Sequence, residues 1–410
     1  MPLSRAPMPA RASVPCEVRR LERRLLAYAG LDDFILLYPV YAVLFTDHGL
    51  STAEISSLFV ITSLTGLLVE VPSGVWADTV SRRRMLVIGP ALASLGFALW
   101  VALPGYASFA LGMVLWAGGG ALRSGSMEAL AYEELERLGA EQRYVRLMGR
   151  AAAASTTATA LATAAAGPLF AWGGYSALGA ASVLACVLCS AAALTLPEHR
   201  RSRTAAGETA HLSEPRTARS MLRSGLAEVR AGRGVRYALL MSVLLTSIWG
   251  ALEEYVPLLA AEMGAATRDI PWFVLIVWVG VTLGGLLAER AEQLSRRVMG
   301  GLLALGALLL AMGALAGALW GFLALAVAFL VFQLADVVAD ARLQGTITGP
   351  SRATVTSLAG WGTSCTTLIV YGVYGTASGQ LAHGPLFAFF AVPYLAVAAV
   401  LARRAVQYEG

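Results

Sequence analysis

Glu70-Val-Pro-Ser-Gly74-Val-Trp-Ala-Asp78-Thr-Val-Ser-Arg82-Arg-Arg84 closes one long apolar segment and leads straight into another. A glycine, a carboxylate and three arginines thus fall where apolar chain meets water. A free-standing acidic loop has no cause to lie between two such runs. A short connection between membrane-spanning helices has one, because an aspartate and arginines at helix ends can lock neighbouring helices on one face of the bilayer.

Outward from this stretch the composition points the same way. Hydrophobic residues make up 57% of 410 positions and charged residues 14%, against roughly 25% charged in soluble domains. Apolar runs of about 20 residues, the length that crosses a hydrocarbon core of about 30 Å, recur along the chain. Six are expected at Leu26–Phe45, Ile55–Ala77, Met85–Leu103, Phe109–Leu130, Leu147–Trp172 and Ser176–Leu196. Six more follow a polar break: Tyr237–Ala260, Trp272–Ala288, Val298–Leu315, Phe322–Asp340, Ser357–Ser378 and Leu386–Leu401. Backbone groups in lipid have to be satisfied within the chain, which makes these spans helices. The expected organisation is a segment 1–24, a six-helix bundle 25–196, a central loop 197–236, a second bundle 237–402 and a tail 403–410.

Orientation is carried by arginine, since the chain contains no lysine. Arg19, Arg20, Arg23 and Arg24 precede the first span, Arg82 to Arg84 follow the second, and Arg143, Arg146 and Arg150 surround the start of the fifth. Further arginines crowd the central break, follow the eighth span at Arg296 and Arg297, and follow the last at Arg403 and Arg404. The alternate loops are nearly bare, interrupted by Arg268. The positive-inside rule then places both termini and the central loop in the cytoplasm of a multi-pass protein of a bacterial cell membrane. Met1–Arg24 has no apolar core before its basic cluster and does not read as a cleavable signal. The net charge of +5 is a topology signal and an attraction to anionic lipid, and no nucleic-acid partner is expected.

Several chemistries are excluded. Without lysine there is no phosphate-binding Gly-x-x-x-x-Gly-Lys-Ser/Thr, so this chain does not couple directly to ATP. No H-E-x-x-H, G-x-S-x-G or Cys/His ligand cluster supports an integral-membrane enzyme or a metal site. Cys186 and Cys189 form a C-x-x-C inside an apolar helix and read as packing residues. Neither terminus nor the central loop is long enough for the output domain of a receptor.

Faint echoes relate the two halves. Gly74-x-x-x-Asp78 before Arg82 and Arg83 is matched by Gly285-x-x-x-Glu289 before Arg296 and Arg297. Glu128 and Leu135 share an offset with Asp336 and Leu343, and Tyr38-Pro39 before Gly49 is matched by Tyr255-Val-Pro257 before Gly264. Together they favour duplicated halves that hold a substrate near the midplane and rock about it.

The opening stretch resembles the loop signature of the major facilitator superfamily, Gly-x-x-x-Asp-Arg-x-Gly-Arg-Arg. Gly74, Asp78, Arg82 and Arg83 fall on its fixed positions, and Thr79 and Ser81 stand where the signature has Arg and Gly. Glu70-Val-Pro-Ser-Gly-x-x-Ala-Asp78, with Ser124-Gly-Ser-Met-Glu128-Ala-Leu-Ala-Tyr-Glu133-Glu-Leu135, is similar to a drug-efflux-like bacterial branch of it. Gly167-Pro168 followed by Gly173-Gly174 resembles, at wider spacing, the fifth-span signature of superfamily antiporters. The resemblance implies an all-α integral membrane protein, with 12 transmembrane helices in two pseudo-symmetric six-helix bundles. It further implies that an arginine of the fourth span, here Arg123, couples to the proton site.

Ionisable residues within spans are costly and mark functional sites by default. The candidates are Asp32 and Asp33 in the first span, Arg123 and Glu128 in the fourth, Glu253 and Glu254 in the seventh, and Asp336 in the tenth. Glu128 and Asp336 occupy matching places, as a proton or substrate pair or as helix–helix hydrogen bonds. Arg123 either couples to a proton site or neutralises Asp32 or Asp33. Adjacent acids point about 100° apart on a helix, so one member of each pair is expected to line the cavity. Gly74, Asp78, Arg82, Arg83, Glu133 and Glu134 are expected to form a cytoplasmic gate. Ala151–Ala166 is a small-residue run that lets helices approach closely. Trp249, Tyr255, Trp278, Trp361, Tyr371 and Tyr374 are candidate cavity walls, while His48 and His383 read as residues of the outer loops. The function expected is a proton-coupled exporter of a small amphipathic or cationic compound, with uptake by symport and lipid translocation as rivals. No cofactor is expected beyond the proton gradient, and the partners are substrate, protons and membrane lipids, with no obligate protein partner.

Overall fold

The computed structural model describes residues 15–79, 81–199, 232–347 and 352–408, and for residues 70–79, 233, 352, 353 and 404–408 the backbone alone. Helices account for every long apolar run. The first half comprises α1 (Cys16–Asp32), α2 (Tyr41–Asp47), α3 (Thr52–Thr79), α4 (Arg82–Ala102), α5 (Tyr106–Arg123), α6 (Ser126–Arg137) and α7 (Tyr144–Leu194). The second comprises α8 (Arg233–Glu253), α9 (Val256–Glu262), α10 (Ile270–Ala291), α11 (Arg296–Leu315), α12 (Gly321–Thr346), α13 (Arg352–Ala377) and α14 (His383–Tyr408). Eight of these are long and apolar enough to cross a membrane on their own. One of the eight, α7, is two spans: Gly174 adopts φ 60° and ψ −154° beside Gly173, a region open only to glycine, and the chain turns back there. The first span is α1 with α2, the fourth α5 with α6, the seventh α8 with α9, and the eleventh is α13. Twelve crossings result, in two bundles of six.

The broken spans have local causes. After Asp32 the chain leaves the helix until Tyr41, across Pro39, which has no N–H to donate and disfavours helix at the residue before it. The seventh span breaks at Glu254–Tyr255, and Pro257 restarts it in the first turn of α9. Gly125, at φ 72°, interrupts the fourth. Both halves also share a cap: Ser81 accepts from the Arg84 N–H at 3.2 Å, and Ser295 from the Val298 N–H at 3.3 Å. Each serine thereby satisfies an orphan donor where a run of arginines opens a helix.

Small residues bring the spans together. A Cβ on Gly89 would lie 2.7 Å from the Gly119 carbonyl, and one on Gly96 2.8 Å from that of Gly112, so α4 and α5 touch backbone to backbone. One apolar cluster joins both bundles through Tyr41, Phe59, Tyr255, Tyr371 and Tyr374. All of these lie toward the face opposite the termini, hereafter the far face. Toward the terminal face the bundles keep separate clusters, Val18, Leu21, Leu86 and Leu135 in the first and Val235, Leu343 and Val355 in the second. The halves meet across their far portions and part toward the termini.

Candidate functional site

The breaks in the first and seventh spans face each other across the bundle interface. The Tyr38 hydroxyl donates to Glu253 Oε1 at 3.2 Å, and the Tyr41 hydroxyl donates to Glu254 Oε2. Glu253 is the last residue of α8 and Glu254 its C-cap. Negative charge at a helix C-terminus meets the like end of the macrodipole, so each acid is held by a hydroxyl donor from the other bundle. Trp116 packs edge-on to both tyrosines, with ring centroids 6.1 and 5.9 Å away. Just beyond, Ser56 and Tyr255 share a hydrogen bond of 2.8 Å, and Tyr255 stacks on Tyr374 at 3.6 Å.

A cavity of about 210 Å³ lies beside this junction, lined by Tyr41, Phe59, Trp116, Arg123, Glu254 and Tyr371 among others. It draws on both bundles and holds one acid and one base. The Arg123 guanidinium donates to Asp32 and also to the Gly119 carbonyl at 3.3 Å. Its charge is therefore offset from behind, and Glu254 is the acid that remains on the cavity wall. Of the two acids of α8, Glu254 lines the cavity and Glu253 meets Tyr38 instead.

The other candidates are dispersed. Asp33 accepts from Ser155 on the fifth span, and Asp336 from Thr246 on the seventh. Glu128 lies exposed in the first turn of α6, past the break in the fourth span. The two acids that matched in sequence thus sit in different surroundings.

At the terminal face Arg82 pairs with Glu133 at 2.6 Å. The Arg83 guanidinium donates to the Leu196 carbonyl and its backbone N–H to Glu198 Oε1, each at 3.4 Å, and Glu134 holds Arg137 at 3.0 Å together with His199 at 3.1 Å. These contacts tie the ends of the first bundle to one another. Gly74 and Asp78 lie on the backbone of α3, with their side chains outside the described residues. A third ion-pair group, Glu22 with Arg143 at 2.7 Å and Arg150 at 3.6 Å, was not singled out from the sequence.

Among the proposed aromatic walls, Tyr371 lines the cavity, Trp249 packs edge-on to Phe329, and Trp361 is 51% exposed. His383 does not stand in a free outer loop: it opens α14 with its ring 2.7 Å from the Tyr374 hydroxyl. Cys186 and Cys189 are buried free thiols. Among the described residues no group of His, Cys, Asp and Glu is arranged to hold a metal ion. Tyr38 and Tyr41 are the residues missed; the proline beside Tyr38 was the available signal, since it marks the break that turns both rings inward.

Comparison with known proteins agrees with this architecture. No curated relative matches the sequence. Among solved structures, a variant of the nucleoside transporter NupG superposes with a TM-score of 0.75 at 13% identity, covering 93% of this chain and 98% of that one. A D-xylose-proton symporter gives 0.64 at 16%, covering 94% and 97%. A bacterial homologue of the iron transporter ferroportin in its inward-facing state gives 0.66 at 16%, covering 95% and 98%. The sequence model of the Major Facilitator Superfamily matches residues 26–362. With a match over most of its length and the twelve-span architecture in place, the chain belongs to the major facilitator superfamily.

Proposed function

We propose that this secondary transporter exchanges protons for a small compound bearing an amine or another cationic group, and that Glu254 is the acid that serves both. The observation that carries the reading is the inter-bundle junction, where Tyr41 and Glu254 close one wall of a cavity whose only base, among its described lining residues, is already paired with Asp32. A carboxylate so placed is satisfied by a proton or by a substrate cation, and exchange between the two is antiport. Tyr41, Phe59, Trp116 and Tyr371 supply ring faces suited to a cation. At about 210 Å³ the enclosed space lies below the ~300–1,000 Å³ of drug-sized ligand pockets. It fits a small amine, or one end of a longer amphipathic compound.

In this reading the terminal face is cytoplasmic, in keeping with the positive-inside rule and the arginine-rich loops on that side, and the conformation is open inward. Release of Tyr38 and Tyr41 from Glu253 and Glu254 accompanies opening of the far face. The test is a panel of amines and neutral analogues applied to inverted vesicles carrying an imposed pH gradient. Collapse of the gradient by amines, and loss of that response in Glu254→Gln, is the expected result. Gradient-driven movement of neutral compounds only, or an intact amine response in the variant, sinks the assignment.

A further inference from the structure

A second and larger cavity, of about 700 Å³, lies inside the C-terminal bundle and not between the bundles. It is enclosed by the terminal-face ends of the seventh, ninth, tenth and twelfth spans. Its deep wall is apolar, with Leu245, Leu303 and Val397, whereas Arg296 and Arg342 stand at the terminal end.

The N-terminal bundle provides an internal comparison. There the first span meets the sixth, with the Cys189 thiol on the Tyr28 carbonyl at 3.6 Å, and Val18, Leu21, Leu25, Tyr28, Leu86 and Leu196 fill the equivalent place. The seventh span instead meets the twelfth at the deep end of the cavity, where the Tyr394 hydroxyl donates to the Leu245 carbonyl at 3.2 Å, and leaves space beside it at the terminal end. In one half this place is filled by the chain's own side chains, and its pseudo-symmetric partner leaves a space whose deep wall is apolar.

Arg296 is not explained by helix electrostatics. Arg296 occupies the first turn of α11, where a cation faces the positive end of the macrodipole and an anion is favoured. Arg342 gives one of its five N–H donors to the Leu294 carbonyl at 3.3 Å, which fixes its fork at the same mouth. Both arginines border the cavity at its terminal end, where the chain meets the membrane–water boundary. An apolar interior under a bidentate cationic rim suits an acyl chain with an anionic head, and the adjoining leaflet is a reservoir of such molecules.

We propose that this cavity holds one acyl chain of an anionic phospholipid, with its phosphate seated between Arg296 and Arg342. The lipid fills the gap between the seventh and twelfth spans that the chain itself leaves open. The inference rests on the cavity and the arginines, and is independent of proton coupling and of substrate.

The experiment places wild type, Arg296→Gln/Arg342→Gln and Ala339→Phe in detergent micelles, titrated with phosphatidylglycerol, phosphatidylcholine or inorganic phosphate. Bound lipid is counted by native mass spectrometry and stability followed by thermal unfolding. Wild type is expected to retain phosphatidylglycerol over phosphatidylcholine. The double arginine variant is expected to bind it about twenty-five-fold more weakly, taking roughly fivefold for each arginine near an anionic surface. Ala339, 8% exposed on the cavity wall, becomes a side chain that fills the space, so the Ala339→Phe protein should lose the lipid without becoming less heat-stable. If that variant does not fold, Ala339→Leu serves in its place. Equal retention of the two lipids by wild type overturns the proposal, as does full retention by the filled variant. Stabilisation by inorganic phosphate equal to that by phosphatidylglycerol also overturns it, because the acyl chain then contributes nothing.

Discussion

Glu254 and Glu22 are both acids with strong partners, yet their surroundings give them different consequences. Glu254 sits on the wall of a cavity shared by both bundles and accepts from Tyr41. Glu254→Gln keeps the shape and an acceptor oxygen but cannot cycle a proton, so substrate-driven proton movement in reconstituted vesicles should fall to background. Tyr41→Phe removes the donor and should weaken the closed far face by about 1.5–3 kcal/mol, the range for a hydrogen bond to a charged group. Glu22 is 8% exposed and holds two arginines. Its replacement by Gln removes a buried acceptor from two arginines that are 26% and 51% exposed, and should cost about 1–3 kcal/mol in thermal unfolding, between the exposed and the fully buried cases. Glu133, at 57% exposure in its pair with Arg82, should cost under about 1 kcal/mol when changed to Gln. Comparable losses for the two would show that burial does not set the worth of these ion pairs.

At the scale of the element, length and apolarity made the twelve spans legible, while the interruptions within them were not. Apolar runs record which residues meet lipid, and the run over Leu26–Phe45 continues through the break at Pro39 because the chain stays apolar there. The echo Tyr38-Pro39 and Tyr255-Val-Pro257 was visible, but its meaning, two broken spans facing each other, depends on a contact between distant segments. For the same reason Arg123 could be assigned a role but not a partner: Asp32 and Asp33 differ by one position, and the helix end at Asp32 decides between them. Glu128 matched Asp336 in register but falls past the glycine break of the fourth span, where register no longer predicts depth. The close crossing of α4 on α5 yields a prediction of its own. A side chain on Gly119 would run into the Gly89 backbone, which cannot swing aside as a side chain can. Gly119→Val should cost about 3 kcal/mol or force the helices apart, and displace Arg123 one turn along. Thermal unfolding should report the first effect and loss of amine-driven proton flux the second; a variant normal in both would mean that the crossing is looser than this geometry.

On the whole-molecule scale the two bundles share an apolar cluster on the far side and hold separate ones on the terminal side, so transport requires the shared cluster to part. Its contacts include Ser56 on the second span and Gly375 on the eleventh, where a Cβ on the glycine would lie 2.8 Å from that of the serine. A small separation brings two cysteines there into the ~3.5–4.5 Å range of a disulfide. With the native thiols Cys16, Cys186, Cys189 and Cys365 replaced by serine or alanine, Ser56→Cys/Gly375→Cys should cross-link on oxidation and stop transport. Reduction should restore it. Because a conformational equilibrium moves only as far as a ligand discriminates between its states, substrate with an imposed proton gradient should populate the far-open form and slow the cross-link. A protein that transports at full rate while cross-linked keeps its far face shut throughout the cycle, and two bundles rocking about a central cavity could not then be its mechanism.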